Sequence, residues 1–107
     1  MSTFDNRENA FENKFAHDEE MLFRVTARRN KLVGLWAAEK MGLTAAEAGP
    51  YATSVVQADF EEAGDDDVVR KVVGDLTAAG VEIEASAVTA MLSEKTVEAR
   101  RQLMESQ

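Results

Sequence analysis

One stripe of spacings dominates this sequence. Phe4, Glu8, Phe11, Phe15, Asp18, Leu22, Val25, Arg29, Leu32 and Trp36 follow one another at alternating intervals of four and three residues. Intervals of that kind put every member on one face of an α-helix, as the a and d positions of a heptad do. No proline interrupts the stripe, since Pro50 is the only proline in the chain. The two halves of the stripe differ in support. From Met21 onward it is flanked by apolar Met21, Phe23, Val33 and Leu35, whereas before Met21 its neighbours are charged or amide. The spacing therefore predicts a bundle helix over residues 19–41, stopped by Gly42. Residues 1–18 form an N-terminal segment that is flexible and potentially helical, because a polar helix without tertiary contacts is marginal in water. A helix running through both halves would be about 50 Å long, more than a bundle of this size can cover.

Three further helices follow. Thr44-Ala45-Ala46-Glu47 is a capping box: the threonine hydroxyl can accept from a backbone amide while the glutamate reaches back. It opens a helix over about 44–63, with Ala52, Val56, Phe60 and Ala63 on one face beside Tyr51 and Val55. Gly49-Pro50 predicts a kink or a restart in it, because proline lacks the amide donor and crowds the carbonyl four residues back. Asp65-Asp66-Asp67 reads as the acidic N-terminal cap of a helix over about 65–79, carrying Val69, Val72, Val73 and Leu76 inward. The last helix covers about 84–105, with Val88, Leu92, Ala99 and Leu103 inward. No segment alternates with period two, so the expected class is all-α, a four-helix bundle over residues 19–107.

Composition removes several function classes. The chain has 107 residues, enough for one domain, and at 45% hydrophobic it can build a core. The absence of cysteine excludes thiol catalysis and thiolate metal sites, and it fits a reducing, cytoplasmic location. No basic stretch precedes an apolar core near the N-terminus, so no signal peptide is expected. The longest apolar run, residues 32–38, is too short to cross a bilayer, so the chain is not expected to be membrane-embedded. Net charge is −8, unevenly spread: −4 over residues 1–20, +4 over 21–41 and −8 over 42–107. That balance argues against nucleic acid as a partner, since binding phosphates needs surplus cations.

Chemistry-bearing motifs are scarce. There is no phosphate loop, no dinucleotide fingerprint and no nucleophile elbow. No catalytic residue and no metal ligand is assigned, and an enzyme is not expected. His17, beside Asp18, Glu19 and Glu20, reads as a solvated histidine on a charged face; one histidine without a second soft ligand does not make a metal site. Residues 59–70 imitate a calcium loop, with acids at positions 1 and 3 and glycine at 6, but Ala63 and Arg70 stand where ligands are required. The basic run RVTARRNK, residues 24–31, reads as a helix side pairing with acids elsewhere. Arg29 falls inside the apolar stripe and there would need a carboxylate partner. Trp36 reads as core. What is left is the polar, phenylalanine-striped opening, FDNRENAFENKFAHDEE. A weakly helical segment with one aromatic stripe has the form of a ligand for a helix-accepting groove.

Those residues carry a resemblance. FDNRENAFENKFAHDEE, ARRNKL-x-G-x-WAAE, ADFEEAG and DDDVVRKVVGDLTAAG together resemble the zeta subunit of alphaproteobacterial F-type ATP synthases, over essentially the whole chain. The resemblance implies a small four-helix inhibitor of ATP hydrolysis, monomeric when free and bound to the catalytic head from the cytoplasmic side. Its N-terminal segment, mobile when free, would enter an interface between alpha and beta subunits near gamma as a helix and block rotation. On this chain the inhibitory element would be residues 1–18. Phe4, Phe11 and Phe15 would give apolar contact, and Arg7, Glu8, Glu12 and Lys14 polar complementarity. No cofactor is required, and adenine nucleotide binding has no motif to support it. Gly49-Pro50 departs from the family's more regular second helix. The reading kept beside this one is a structural or assembly subunit bound through the bundle, without inhibition.

Overall fold

The computed structural model describes residues 3–59 and 64–105, with side chains described from Glu19 onward. The described residues form four helices: α1, Thr3–Met41; α2, Ala45–Ala58; α3, Asp66–Ala78; and α4, Ala85–Glu105. No strand occurs among them.

α1 is one unbroken helix of 39 residues, about 58 Å at 1.5 Å per residue. It accounts for the long dimension of a molecule measuring 64 × 26 × 20 Å. The helix starts at Thr3, well before residue 19, where flanking apolar support begins. Nothing in residues 3–18 breaks a helix, since they contain neither glycine nor proline. The side chains of Phe4, Phe11, Phe15 and His17 lie outside the described residues.

α1 ends at glycine for a definite reason. Gly42 sits at φ 73°, a conformation that costs a residue with a Cβ. There the N–H of Gly42 donates to Glu39 O at 3.1 Å and that of Leu43 to Ala38 O at 3.0 Å, a Schellman closure. Gly80, at φ 86°, ends α3 in the same way, with Val81 N–H donating to Leu76 O at 2.9 Å.

The capping box at α2 is present in full. Glu47 N–H donates to Thr44 Oγ1 at 3.3 Å, and Thr44 N–H donates to Glu47 Oε1 at 3.1 Å. The Thr44 hydroxyl also donates to Glu47 Oε1 at 2.9 Å, and the two bonds the carboxylate accepts, that from Thr44 N–H first, hold it below its ordinary pKa. The expected restart at Gly49-Pro50 does not occur, because α2 passes through Pro50 as one helix. Gly49 eases the passage: the residue before a proline is driven out of the helical region partly by its Cβ, and glycine has none. Burial of Ala52, Val55 and Ala58 favours keeping the helix whole. α2 ends at Ala58, short of residue 63, and Phe60 and Ala63 lie outside the described residues.

The core is aliphatic. Val33, Ala37, Val55, Val68, Val72, Leu76, Val88 and Leu92 form one buried cluster, with Trp36, Tyr51, Val69 and Val73 packed against it. Two positions differ from the sequence reading. In α3 the fully buried valines are Val68 and Val72, with Val69 and Val73 on the flank. In α1 the buried face runs through Asn30, Val33, Gly34, Ala37 and Ala38, about a third of a turn from the Leu22–Leu32–Trp36 stripe. The reason is size. At Gly34 a Cβ would stand 2.7 Å from the Ala52 Cα, so α1 and α2 meet backbone to backbone there. Small residues permit that approach, and the larger ones are displaced to the sides. Trp36 is accordingly half-buried, with the Lys40 ammonium 5.4 Å from its ring centroid.

Candidate functional site

The seven residues singled out by sequence, Phe4, Arg7, Glu8, Phe11, Glu12, Lys14 and Phe15, all belong to α1. Helical spacing puts Phe4, Phe11 and Phe15 on one face. Their side chains, with those of the polar four, lie outside the described residues.

What is described is the base of that segment. Glu19 and Glu20 are exposed, and Glu20 pairs with Arg24 at 2.6 Å one turn on. Leu22 is 60% and Phe23 58% exposed, while Val25 is 4% exposed. Among the described side chains of α1, Val25 is thus the first that is buried. Leu22 belongs to the same stripe as the three phenylalanines, and it is still largely in solvent.

Beyond Val25 the basic run divides its labour. Arg29, its side chain only 11% exposed, forms a two-pronged pair with Asp65, at 2.8 Å from Nη2 and 3.3 Å from Nη1. This is the carboxylate its place in the stripe demanded. Arg29 also donates from Nε and Nη2 to Asn30 Oδ1, at 3.1 and 2.9 Å. Asn30 is 1% exposed, and its Nδ2 has no partner among the described residues. Asp65 was expected to cap α3. It does occupy the N-cap position, but its side chain makes no capping bond, because both its oxygens are taken by Arg29. Asp66 and Asp67 keep the other half of that expectation, negative charge in the first turn of α3.

The remaining polar contacts fasten helix to helix. Arg28 donates to Gln102 Oε1 at 3.2 Å, which brings the C-terminal end of α4 beside the base of the N-terminal segment. Tyr51 donates to Asp75 Oδ2 at 2.9 Å, while Lys71 pairs with the same carboxylate oxygen at 3.1 Å. Burial first, then the Asp75 carboxylate, pushes the Tyr51 hydroxyl well above its ordinary pKa. None of this makes a catalytic constellation. Among the described residues no group of histidine, cysteine, aspartate and glutamate could hold a metal ion. No helix there is long and apolar enough to cross a membrane.

Comparison with protein families gives the arrangement its context. The family model described as ATPase inhibitor subunit zeta matches residues 1–102. The chain belongs to that family. The match takes in both the phenylalanine-striped segment and the bundle. A solution NMR structure is 47% identical to this zeta-family chain, covers 81% of it and 99% of its own length, and superposes with a TM-score of 0.73. No curated protein matches the chain. Family membership makes this a regulatory protein without enzymatic activity. The F-type ATP synthase is the partner that membership implies.

Sequence reasoning missed two residues at the base. Asn30 was read as part of a solvated basic run, yet it is among the most buried side chains. Gly34 carried the available signal, a glycine in mid-helix among good helix formers, which costs about 1 kcal/mol unless something needs the space.

Proposed function

We propose that this chain inhibits ATP hydrolysis by the F-type ATP synthase as a wedge. Residues 1–18 would enter, as a helix, an interface between alpha and beta subunits near gamma and stop rotation. The bundle would remain outside as an anchor. Phe4, Phe11 and Phe15 give the inserted face its apolar contact, and Arg7, Glu8, Glu12 and Lys14 its polar fit. The segment is mobile in the free protein and takes a fixed helical form on binding. It acts from the cytoplasmic side and requires no cofactor.

One observation carries this reading. α1 begins at Thr3, and among its described side chains, Glu19 onward, the first buried one is Val25. The last apolar residues before it, Leu22 and Phe23, are more than half exposed, and the stripe runs on past them toward Phe15, Phe11 and Phe4. An aromatic-striped helix whose described base is still in solvent fits an external groove.

Deleting residues 1–18 and measuring ATP hydrolysis by the cognate enzyme tests it. The truncated chain should bind through its bundle and leave hydrolysis unchecked. Full inhibition by the truncated chain would sink the wedge. Binding by the complete chain with no effect on hydrolysis would favour the structural or assembly role.

A further inference from the structure

Where the bundle begins, α1 forms the floor of a groove between α2 and α4. The groove encloses about 370 Å³, with Phe23, Val56 and Leu103 as apolar walls over Ala27 and with Arg24, Arg28 and Lys31 on its rim. Among the described residues no carboxylate lines it. Arg24 is partly neutralised by Glu20, while Arg28 donates to the uncharged Gln102. Neither Arg28 nor Lys31 has a carboxylate partner among the described residues. In a chain of net charge −8, three cations around one groove are out of keeping with the rest.

A second hollow, about 210 Å³, adjoins the first and shares Phe23, Ala27 and Val56 with it. Asn30 lines this hollow, together with Thr26 and Asp59. Arg29 holds the Asn30 Oδ1, which fixes the amide's orientation and leaves Nδ2 a buried donor with no acceptor among the described residues. A buried donor of this kind is costly until something completes it. Basic rim and apolar walls ask for the same thing, an apolar body carrying oxygen acceptors.

We propose that this groove is the bundle's anchor site, and that its occupant is an acidic amphipathic helix of the ATP synthase catalytic head. Arg24 and Arg28 stand one turn apart, with Lys31 three residues further on, so carboxylates one turn apart on the partner would meet them. An apolar side chain between those carboxylates would enter the space over Ala27. Asp59 keeps the partner's acids on the rim and out of the inner hollow. A protein helix fits better than a polyanion, because nucleic-acid phosphates bring nothing to the apolar walls and are repelled by the thirteen acids of residues 42–107. The site continues directly from the base of the inhibitory segment, so one partner would meet both. The proposal rests on the inhibitor reading above, and it adds the second contact that would hold the wedge in place.

The absence of cysteine makes the test clean, since a single introduced thiol is unique. The complete chain is prepared with Ala27→Cys carrying a photo-crosslinker, and separately as Arg24→Gln/Arg28→Gln/Lys31→Gln. Both are mixed with purified catalytic head. The crosslink should map to an acidic helical segment of a head subunit. The triple variant should melt as the parent does, need at least about tenfold more protein for half-inhibition, and lose most of the salt dependence of binding. An unchanged half-inhibition concentration overturns the groove and leaves the wedge standing. If the parent chain does not inhibit, the wedge fails instead. The groove is then decided by the crosslink, sustained by an acidic head segment and overturned by its absence or by a crosslink to a second copy of this chain.

Discussion

The two halves of α1 share a helix and a heptad-like stripe, and they differ in the apolar support the sequence places beside it. In the C-terminal half, Val25, Asn30, Val33, Gly34, Ala37 and Ala38 are buried, Arg29 is tied to α3 and Arg28 to α4. In the N-terminal half the stripe continues without flanking apolar residues, and at Leu22, where the halves meet, it is in solvent. Periodicity describes both halves equally well. It says which face a helix would offer, and it does not say whether this chain supplies anything to receive that face.

The comparison is sharpest if inhibition and stability come apart. Phe11→Ala combined with Phe15→Ala should raise the half-inhibitory concentration by more than about tenfold, as expected when two aromatic anchors are lost. Its melting temperature should match the parent's; a large fall would put these rings in the core. Gly34→Ala should do the reverse. A Cβ 2.7 Å from the Ala52 Cα forces the helices apart, at about 2 kcal/mol, which lowers the melting temperature by roughly 10 °C. The boundary itself can be located with Val25→Ala and Leu22→Ala. The first should cost about 1–2 kcal/mol in chemical denaturation and the second under about 0.5 kcal/mol. Equal costs would move the junction toward the N-terminus.

Two smaller effects examine the fastenings of the packed half. Asp65→Asn should cost about 1 kcal/mol, since it leaves a mostly buried Arg29 with a weaker partner. Tyr51 supplies the pH test. Its raised pKa means that the folded chain favours the neutral phenol. That contribution is fully present below the ordinary tyrosine value of 10.0 and is lost as pH rises above it. Stability should therefore fall more steeply above pH 10 in the parent than in Tyr51→Phe, read by denaturant midpoints.

Much of the fold could be read directly. Gly42 and Gly80 end their helices, Thr44 and Glu47 form the capping box, and Val72, Leu76, Val88, Leu92 and Ala99 are buried. These features depend on neighbours a few residues away, which is the range a sequence displays. The restart expected at Gly49-Pro50 did not occur because burial along α2 keeps the helix continuous. Val69 misled because Val68 and Val69 lie 100° apart on the helix, and only the position of α1 and α4 decides which turns inward. The candidate site was legible as a stripe and a charge pattern. The groove was not, since its walls come from Phe23, Val56 and Leu103, which are far apart in the chain.

By itself, then, the sequence determined the helices, most of their ends, and the face on which Phe4, Phe11 and Phe15 fall. Those outcomes follow from backbone geometry and short-range hydrogen bonding. Tertiary structure decided which side of α1 meets the bundle from Val25 onward. It buried Gly34 against Ala52, turned α1 so that Asn30 faces inward, assigned Asp65 to Arg29, and gathered Arg24, Arg28 and Lys31 around an apolar groove. Burial depends on what lies across from a residue, and no spacing along one helix contains that.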